Sequence, residues 1–312
     1  MPGWTANQIP DLSEHTAIVT GANSGLGQVT ARELARAGAA VIVACRNTAK
    51  GETAATAIRD AIGPDADVAV ARLDLAELAS VREFADRVSA EHDRVDLLIN
   101  NAGVMAPPRR LTVDGFESQL AINHLGHFAL TGRLLARLLA APAPRVVTVS
   151  SHMHRFGTIR FDDPQFERGY NNWRAYGQSK LANLMFCFEL DRRAAAAGVA
   201  LTSVAAHPGY AATNLQFAGP QKRLERIVMG VGNHVIAQSA EMGALPSLYA
   251  ATVPDLPGGS FVGPDGFMEN RGHPRVVTAA GKAYKPEAWG RLWELSERLT
   301  DVGYEFSVGA AA

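Results

Sequence analysis

Tyr176 and Lys180, in the stretch Tyr176-Gly177-Gln178-Ser179-Lys180, form the pair in this chain best suited to moving a proton. Positions four apart share a helix face, so a phenol and an ammonium point the same way. A phenol with a reference pKa of ~10 is protonated at neutral pH, and a neighbouring cation lowers that by about 1–3 units. Tyr176 then becomes usable as an acid or a base. Ser151 closes an apolar run and could hold a substrate oxygen beside the phenol. The spacing alone is weak, because Tyr170 and Arg174 imitate it without the lysine. What selects Tyr176 is the serine-ended strand before it and a glycine turn far upstream.

That turn is Thr20-Gly21-Ala22-Asn23-Ser24-Gly25-Leu26-Gly27. Ala17, Ile18 and Val19 make a short apolar run before it, and Gln28 to Ala37 read as a helix after it. In a strand–turn–helix unit of this kind, one glycine takes backbone angles closed to other residues. A second lets the main chain approach a phosphate, and a third lets helix pack on strand. The helix N-terminus offers unpaired N–H groups and partial positive charge to a pyrophosphate. Gly21, Asn23, Ser24, Gly25, Leu26 and Gly27 are therefore the expected dinucleotide cradle. The plain alternative is an ordinary tight turn.

Cofactor choice is read about twenty residues further on, where an NAD site usually places an acid against the ribose 2′-hydroxyl. Here the strand ends in Ala44-Cys45-Arg46-Asn47, with no carboxylate. Arg46 could instead pair a 2′-phosphate through its planar fork of donors, which predicts NADP(H) preferred over NAD(H). The plain alternative is a solvated residue at a helix start. Asp74 and Leu75 follow the third strand, where Asp74 could bond the adenine amino group or equally cap the helix from Ala76.

The elements that must carry these residues alternate along the chain. Apolar runs at Ala39 to Ala44, Val68 to Leu73 and Val95 to Ile99 are separated by helical segments from Arg46-Asn47 to about Ile62 and from Ala76 to Ala90. A long helical stretch from Val113 to Leu139 precedes the strand Arg145 to Ser150. A helix from about Tyr176 to Ala196 precedes Leu201 to Ala205, and Ser260 to Val262 adds a last edge strand. Strands this apolar need helices on both faces. The fold class is α/β: a single doubly wound domain over residues 1–312, with a mainly parallel seven-stranded sheet. Three segments leave the pattern at the ligand-binding edge of such a sheet, at about 152–174, 214–239 and 263–286, and are candidate substrate loops.

Composition excludes several classes of partner. With 312 residues, 47% hydrophobic, 20% charged and a formal charge of -1, the chain carries no electrostatic footprint for nucleic acid or an anionic membrane. A small molecule is the expected partner. Cys45 and Cys187 both lie in apolar runs, so a reducing cytoplasm is expected rather than a disulfide framework. Met1 to Glu14 has no apolar core and reads as a tail, neither a signal peptide nor an anchor.

Taken together, Thr20-Gly21-x-x-x-Gly25-x-Gly27, Asn100-Asn101-Ala102-Gly103, Asn123, Ser151, Tyr176-x-x-x-Lys180 and Pro208-Gly209 resemble the short-chain dehydrogenase/reductase family, over about Thr16 to Leu215. The resemblance implies a Rossmann domain and the interconversion of a carbonyl and an alcohol. It further implies that Tyr176 is the proton donor or acceptor, and that Lys180 holds the nicotinamide ribose and lowers the tyrosine pKa. Ser151 would orient the carbonyl and Asn123 would anchor a water in a proton relay. Asn101, Ala102 and Gly103 would line the cofactor site, while Pro208, Gly209 and Thr213 would flank the nicotinamide. Ala44-Cys45-Arg46-Asn47, Asn123-His124-Leu125-Gly126-His127-Phe128 and Tyr176 to Asn183 are similar to the retinol dehydrogenase-like branch, whose members mostly prefer NADP(H). Membrane-bound members of that branch carry a hydrophobic N-terminal anchor that this sequence does not show.

Loop aromatics such as Phe156, Phe161 and Phe217, with Met229, hint at a lipophilic or ring-bearing substrate; equally, they could seat the loops on the sheet. Paired histidines at His124 and His127, and at His152 and His154, lack a carboxylate or thiolate cluster nearby, so no metal is expected. The helix Leu181 to Phe188 is apolar nearly all round. One side should meet the sheet and the other a second subunit in a homo-oligomer, or else the C-terminal extension. Two rivals to the carbonyl–alcohol reading stay open. A non-catalytic dinucleotide-binding scaffold or redox sensor would use the same fold without turnover, and a reductase of carbon–carbon double bonds would use the same cofactor.

Overall fold

The computed structural model describes residues 3–210 and 238–306. Its frame is one eight-stranded sheet: β1 (Thr16–Thr20), β2 (Ala40–Cys45), β3 (Val68–Arg72), β4 (Leu97–Asn100), β5 (Arg145–Val149), β6 (Thr202–Ala206), β7 (Phe261–Pro264) and β8 (Pro274–Val276). The spatial order is β3-β2-β1-β4-β5-β6-β7-β8. The strands up to β7 pair in parallel and β8 pairs with β7 antiparallel. The chain steps outward from β1 to β3 and then crosses back to β4, which opens a crevice between the C-terminal ends of β1 and β4.

The sheet holds because its strands are apolar on both sides. In β1, Ala17 and Val19 enter one core with Val41 and Val43 of β2, while Ile18 enters the opposite core with Ile42 and Leu98. The first core is covered by α1 (Gly25–Arg36), α2 (Thr48–Ile62) and the helix Ala240–Thr252. The second lies under α3 (Leu78–Glu91), α5 (Gly126–Arg133), α6 (Leu135–Leu139) and α7 (Asn172–Ala196). The central strands therefore bury apolar surface on both faces, the arrangement that makes long parallel sheets stable.

Four expectations change. The sheet has an eighth strand, so β7 is not the edge; β8 is three residues long and begins with a proline, too little for a strand pattern to register. The stretch 113–139 is not one helix. It runs as a short α4 (Ser118–Leu120), a π-helical turn Ala121–Leu125, then α5 and α6. Gly115 takes a φ of 80°, and the Glu117 carboxylate accepts the amides of Gln119 and Leu120 at 3.0 and 2.8 Å, which fixes the late start. Helix α7 begins four residues before Tyr176, because Asn171 caps it by accepting from the Arg174 amide at 3.0 Å. The N-terminal segment is not a free tail. Leu12 is buried, and Trp4 packs edge-on against Tyr249 at 5.3 Å.

The apolar stretch Leu181 to Phe188 of α7 has its second face covered within the chain. Label the helix Ala240–Thr252 α8 and the last helix, Pro286–Thr300, α9. Trp293 of α9 stacks on Phe186 at 5.9 Å, Trp289 meets Phe188 at 5.6 Å, and Leu292 joins the same cluster as Leu181, Leu184 and Phe188. The C-terminal segment thus occupies the face that a second subunit was the other candidate to cover. Among the described residues, no helix is long and apolar enough to cross a membrane.

Candidate active site

A cavity of about 570 Å³ opens at the C-terminal edge of the sheet, at the crossover between β1 and β4. Its walls contain Gly21, Asn23, Ser24, Gly25, Leu26, Gly27, Arg46, Asp74, Leu75, Asn101, Ala102, Gly103, Ser151, Tyr176, Lys180, Pro208 and Gly209. Residues separated by as much as 188 positions are thereby gathered at one edge. Asn123 does not line it, and Thr213, Phe217 and Met229 lie outside the described residues. Phe156 is 74% exposed and Phe161 stacks under Arg291 at 4.1 Å, so neither forms the cavity wall. The apolar lining comes instead from Met105, Ile122, Met153 and Trp173, with Tyr210 beside them.

The glycine turn is built by steric necessity. Gly21 has a φ of 68° and faces the Ala102 backbone, and a Cβ on Gly27 would stand 2.5 Å from Asn101 Nδ2 and 2.7 Å from the Gly21 carbonyl. Asn101 ties the two crevice walls together, donating from Nδ2 to Thr20 O at 2.7 Å and from its amide to Thr20 Oγ1 at 2.9 Å. The open N-terminus of α1 then faces the cavity, the arrangement that suits a pyrophosphate. Arg46 stands exposed at the cavity, with no hydrogen bond or ion pair to any described residue. Asp74 meets both of its readings: Oδ1 accepts the Ala76 amide at 3.0 Å, and the residue still lines the cavity. These features fit a dinucleotide, with glycine where a side chain would fill the cradle.

At the other end, Tyr176 is buried, and Ser151 lines the same part of the cavity. Burial pushes the phenol up to about 12, and the nearby Ser151 hydroxyl pulls in the other direction. The expected lowering by Lys180 is not what the structure gives. Lys180 Nζ sits 5.9 Å from the Tyr176 ring centre and donates to Val149 O at 3.0 Å, and burial lowers the ammonium to about 8. Burial is the largest influence on both groups. Asn123 is wholly buried. Its side chain brackets Val104, accepting the amide at 2.8 Å and donating to the carbonyl at 3.0 Å, and it also donates to Ser179 Oγ at 2.9 Å. It reaches the cavity through the Gly103–Val104 backbone that it braces.

The paired histidines resolve into distinct roles. His127 donates from Nδ1 to Asn123 O at 3.1 Å and lies 2.9 Å from Thr20 Oγ1, and burial depresses it to about 3. His124 bonds Ser296 Oγ at 2.8 Å and is depressed to about 4. Both are neutral core groups. His152 was not expected to meet a carboxylate, yet it joins His207 and Glu269, 117 and 62 residues apart from that acid, in the one group of metal-ligand type among the described residues. His152, Tyr210 and Asn270 are cavity residues that the sequence reading missed. No local pattern marks them, because their juxtaposition depends on β6, β7 and the turn after β7.

The sequence model described as short chain dehydrogenase matches residues 15–223. The chain is 43% identical over 293 residues to retinol dehydrogenase 13 of Homo sapiens, covering 93% of this chain and 85% of that protein. It is 39% identical over 296 residues to retinol dehydrogenase 14 of Mus musculus, covering 92% and 86%. Among solved structures, it is similar to an uncharacterised protein from Mycobacterium paratuberculosis, at 48% identity and a TM-score of 0.81 over 97% of this chain and 99% of that one. It is also similar to a protein from Beutenbergia cavernae described as an NAD(P)-dependent gluconate 5-dehydrogenase, with NADP bound at low occupancy, at 26% identity and a TM-score of 0.62, covering 78% and 91%.

Proposed function

The chain belongs to the short-chain dehydrogenase family, in its retinol dehydrogenase-like branch, and from that premise we propose an NADP(H)-dependent oxidoreductase that interconverts a carbonyl and an alcohol on a lipophilic or ring-bearing substrate. The observation that carries this reading is one cavity lined by the glycine turn and by Ser151, Tyr176 and Lys180 together. Bound there, the nicotinamide would supply or accept a hydride at its ring.

The chain's own residues do the rest. Ser151 holds the substrate oxygen, and Tyr176 gives it a proton in reduction or removes one in oxidation. Burial pushes the phenol up to about 12, which favours its proton-donating form and so the reduction direction. Lys180 binds the ribose end and brings a removable positive charge close to the phenol. Asn123 fixes the backbone that lines the site. Gly21 to Gly27 and the N-terminus of α1 receive the pyrophosphate, Arg46 the 2′-phosphate, Asp74 and Leu75 the adenine end, and Pro208 and Gly209 the nicotinamide end. Met105, Ile122, Met153 and Trp173 give the substrate end apolar walls, which supports a lipophilic substrate over a small polar one. The two free, buried cysteines agree with a reducing compartment such as the cytoplasm.

Purified protein titrated with NADPH and NADH, then offered a series of aldehydes and ketones of rising apolar size, tests the reading. Tight NADPH binding with turnover that grows with apolar size is expected. Products reduced at a carbon–carbon double bond, or binding without turnover across the series, would replace it with one of the two rivals.

A further inference from the structure

Three segments far apart in sequence meet at the carboxylate of Glu269. Its Oε2 accepts from His207 Nε2 and from His152 Nε2, each at 3.1 Å. The Arg155 guanidinium reaches both oxygens, at 3.2 and 3.3 Å, and also donates to Thr278 O at 3.1 Å. His152 follows Ser151, and His207 precedes Pro208-Gly209, so each partner is one residue from a position at the reacting end of the cavity.

The hydrogen bonds fix what this cluster is. His207 Nδ1 accepts the Gly209 amide at 3.2 Å, so in the neutral ring the proton sits on Nε2 and points at Glu269. That nitrogen has no lone pair to offer a cation, and Arg155 already supplies positive charge to the carboxylate. The cluster is a hydrogen-bonded clamp rather than a metal centre. Its fit is close: a Cβ on Gly263 would stand 2.1 Å from His207 Nε2.

The clamp also works against local strain. Met268 and Glu269 take φ values of 51° and 55°, a left-handed pair that side-chain-bearing residues avoid. A turn of that shape persists where its surroundings over-determine it. Next in sequence, Asn270 lines the cavity, and its carbonyl accepts the Tyr210 amide at 2.8 Å. A Cβ on Gly209 would meet the same carbonyl at 2.4 Å, so the turn lies directly on the Pro208-Gly209 backbone.

We infer that Glu269 is a positioning residue for the substrate end of the site: it clamps the turn 266–272 to His152, Arg155 and His207 so that Asn270 forms a cavity wall. This rests on the reading of the Ser151–Tyr176 end as the carbonyl end. Glu269 touches no reacting atom. Its contribution is to hold one wall at a fixed distance from Ser151.

Two measurements on the full chain test it, one without turnover. In Glu269→Gln, the amide puts N–H groups where the carboxylate only accepted. Hydrogen exchange in peptides spanning 265–273 and in the Tyr210 amide should quicken by about tenfold or more, with exchange in α7 unchanged. The KM for a carbonyl substrate should rise by about fivefold or more, with kcat changed by less than about twofold, and Glu269→Asp should recover part of both effects. Should Glu269→Gln not fold, Arg155→Met, at a half-exposed site, should move both quantities in the same direction. Unchanged exchange and KM would overturn the inference, as would a fall in kcat at constant KM, which would put Glu269 in the chemical step. If the wild type reduces no carbonyl, the functional reading fails while the exchange result still decides whether the clamp exists.

Discussion

Lys180 places its ammonium 5.9 Å from the centre of the Tyr176 ring, and its hydrogen bond goes to the Val149 carbonyl at 3.0 Å rather than to the phenol. The two groups that share a helix face are therefore poised separately. The phenol is held protonated by burial and steered by Ser151, and the lysine is strained toward neutrality by the same burial. The i,i+4 spacing brings them to one cavity, and the surrounding dielectric sets their charges.

Removing only the hydroxyl isolates the chemical step. Tyr176→Phe keeps the ring against Trp173, 6.5 Å away, so the wall retains its shape. The expected result is a loss of kcat of about 10²–10⁴-fold, the range of general acid–base catalysis. The NADPH dissociation constant, read by fluorescence, should stay within about twofold of wild type. Full turnover in this variant would remove Tyr176 from the mechanism.

Lys180 should cost stability while serving function. Its folded value is depressed to about 8 from 10.5, so below about pH 8 it is charged in both folded and unfolded chains and the burial penalty is fully present. Between about 8 and 10.5 the unfolded chain binds more protons, and stability from this group rises with pH. Lys180→Met also leaves no orphan at Val149 O, because Asn183 Nδ2 donates to it at 3.0 Å as well. Calorimetry should find the variant more stable than wild type by roughly 1 kcal/mol or more at pH 7, with a smaller gain at pH 10. A variant less stable at pH 7 would show that the Val149 bond outweighs desolvation.

The difference between what was readable in advance and what was not follows the range of the interactions. The glycine turn, Arg46 and the Tyr176–Lys180 pair are local patterns, and the structure gathers them in one cavity. The alternation of apolar runs and helices is also local, and it marked the seven strands of the parallel part of the sheet, though not their order. Depressed basicity at Lys180 was invisible because it depends on burial by other segments. The link from Glu269 to His152 spans 117 residues, and it depends on a three-residue strand and a left-handed turn that leave no periodic signal. The break at Gly115 and the π-helical turn before α5 were hidden inside one continuous helical pattern for the same reason: Glu117 and Asn123 act through specific side-chain bonds, not through hydrophobic period.

Closure of α7 by α9 predicts where the fold is most sensitive away from the cavity. Trp293 is 2% exposed and meets Phe128 at 5.1 Å, Tyr304 at 4.5 Å and Phe186 at 5.9 Å, with the Arg193 guanidinium 4.5 Å from its ring centre. Trp293→Ala should cost about 3–5 kcal/mol by cavity formation. Because the lost ring bears on Phe186, ten residues along α7 from the phenol, chemical denaturation should show the loss while the KM for NADPH changes little. A loss below about 1 kcal/mol would mean that α9 is not part of the cooperative fold.

Arg46 offers the sharpest test of cofactor choice because nothing in the fold depends on it. The side chain is exposed and bonded to no described residue, while its neighbours do the structural work: Cys45 is buried in β2, and Asn47 caps α2 by accepting the Lys50 amide at 3.0 Å. Arg46→Asp should therefore leave the melting temperature close to wild type. If Arg46 pairs with a 2′-phosphate as proposed, the substitution exchanges charge-assisted bonds, each contributing about 1.5–3 kcal/mol, for repulsion. NADPH affinity should fall by about 100-fold or more, while NADH affinity holds or improves, since a carboxylate at this strand end can accept from a ribose 2′-hydroxyl. Parallel titrations of wild type and variant read both changes. An unchanged ratio of the two affinities would move the 2′-phosphate away from Arg46 and leave the choice of cofactor to another part of the cavity wall.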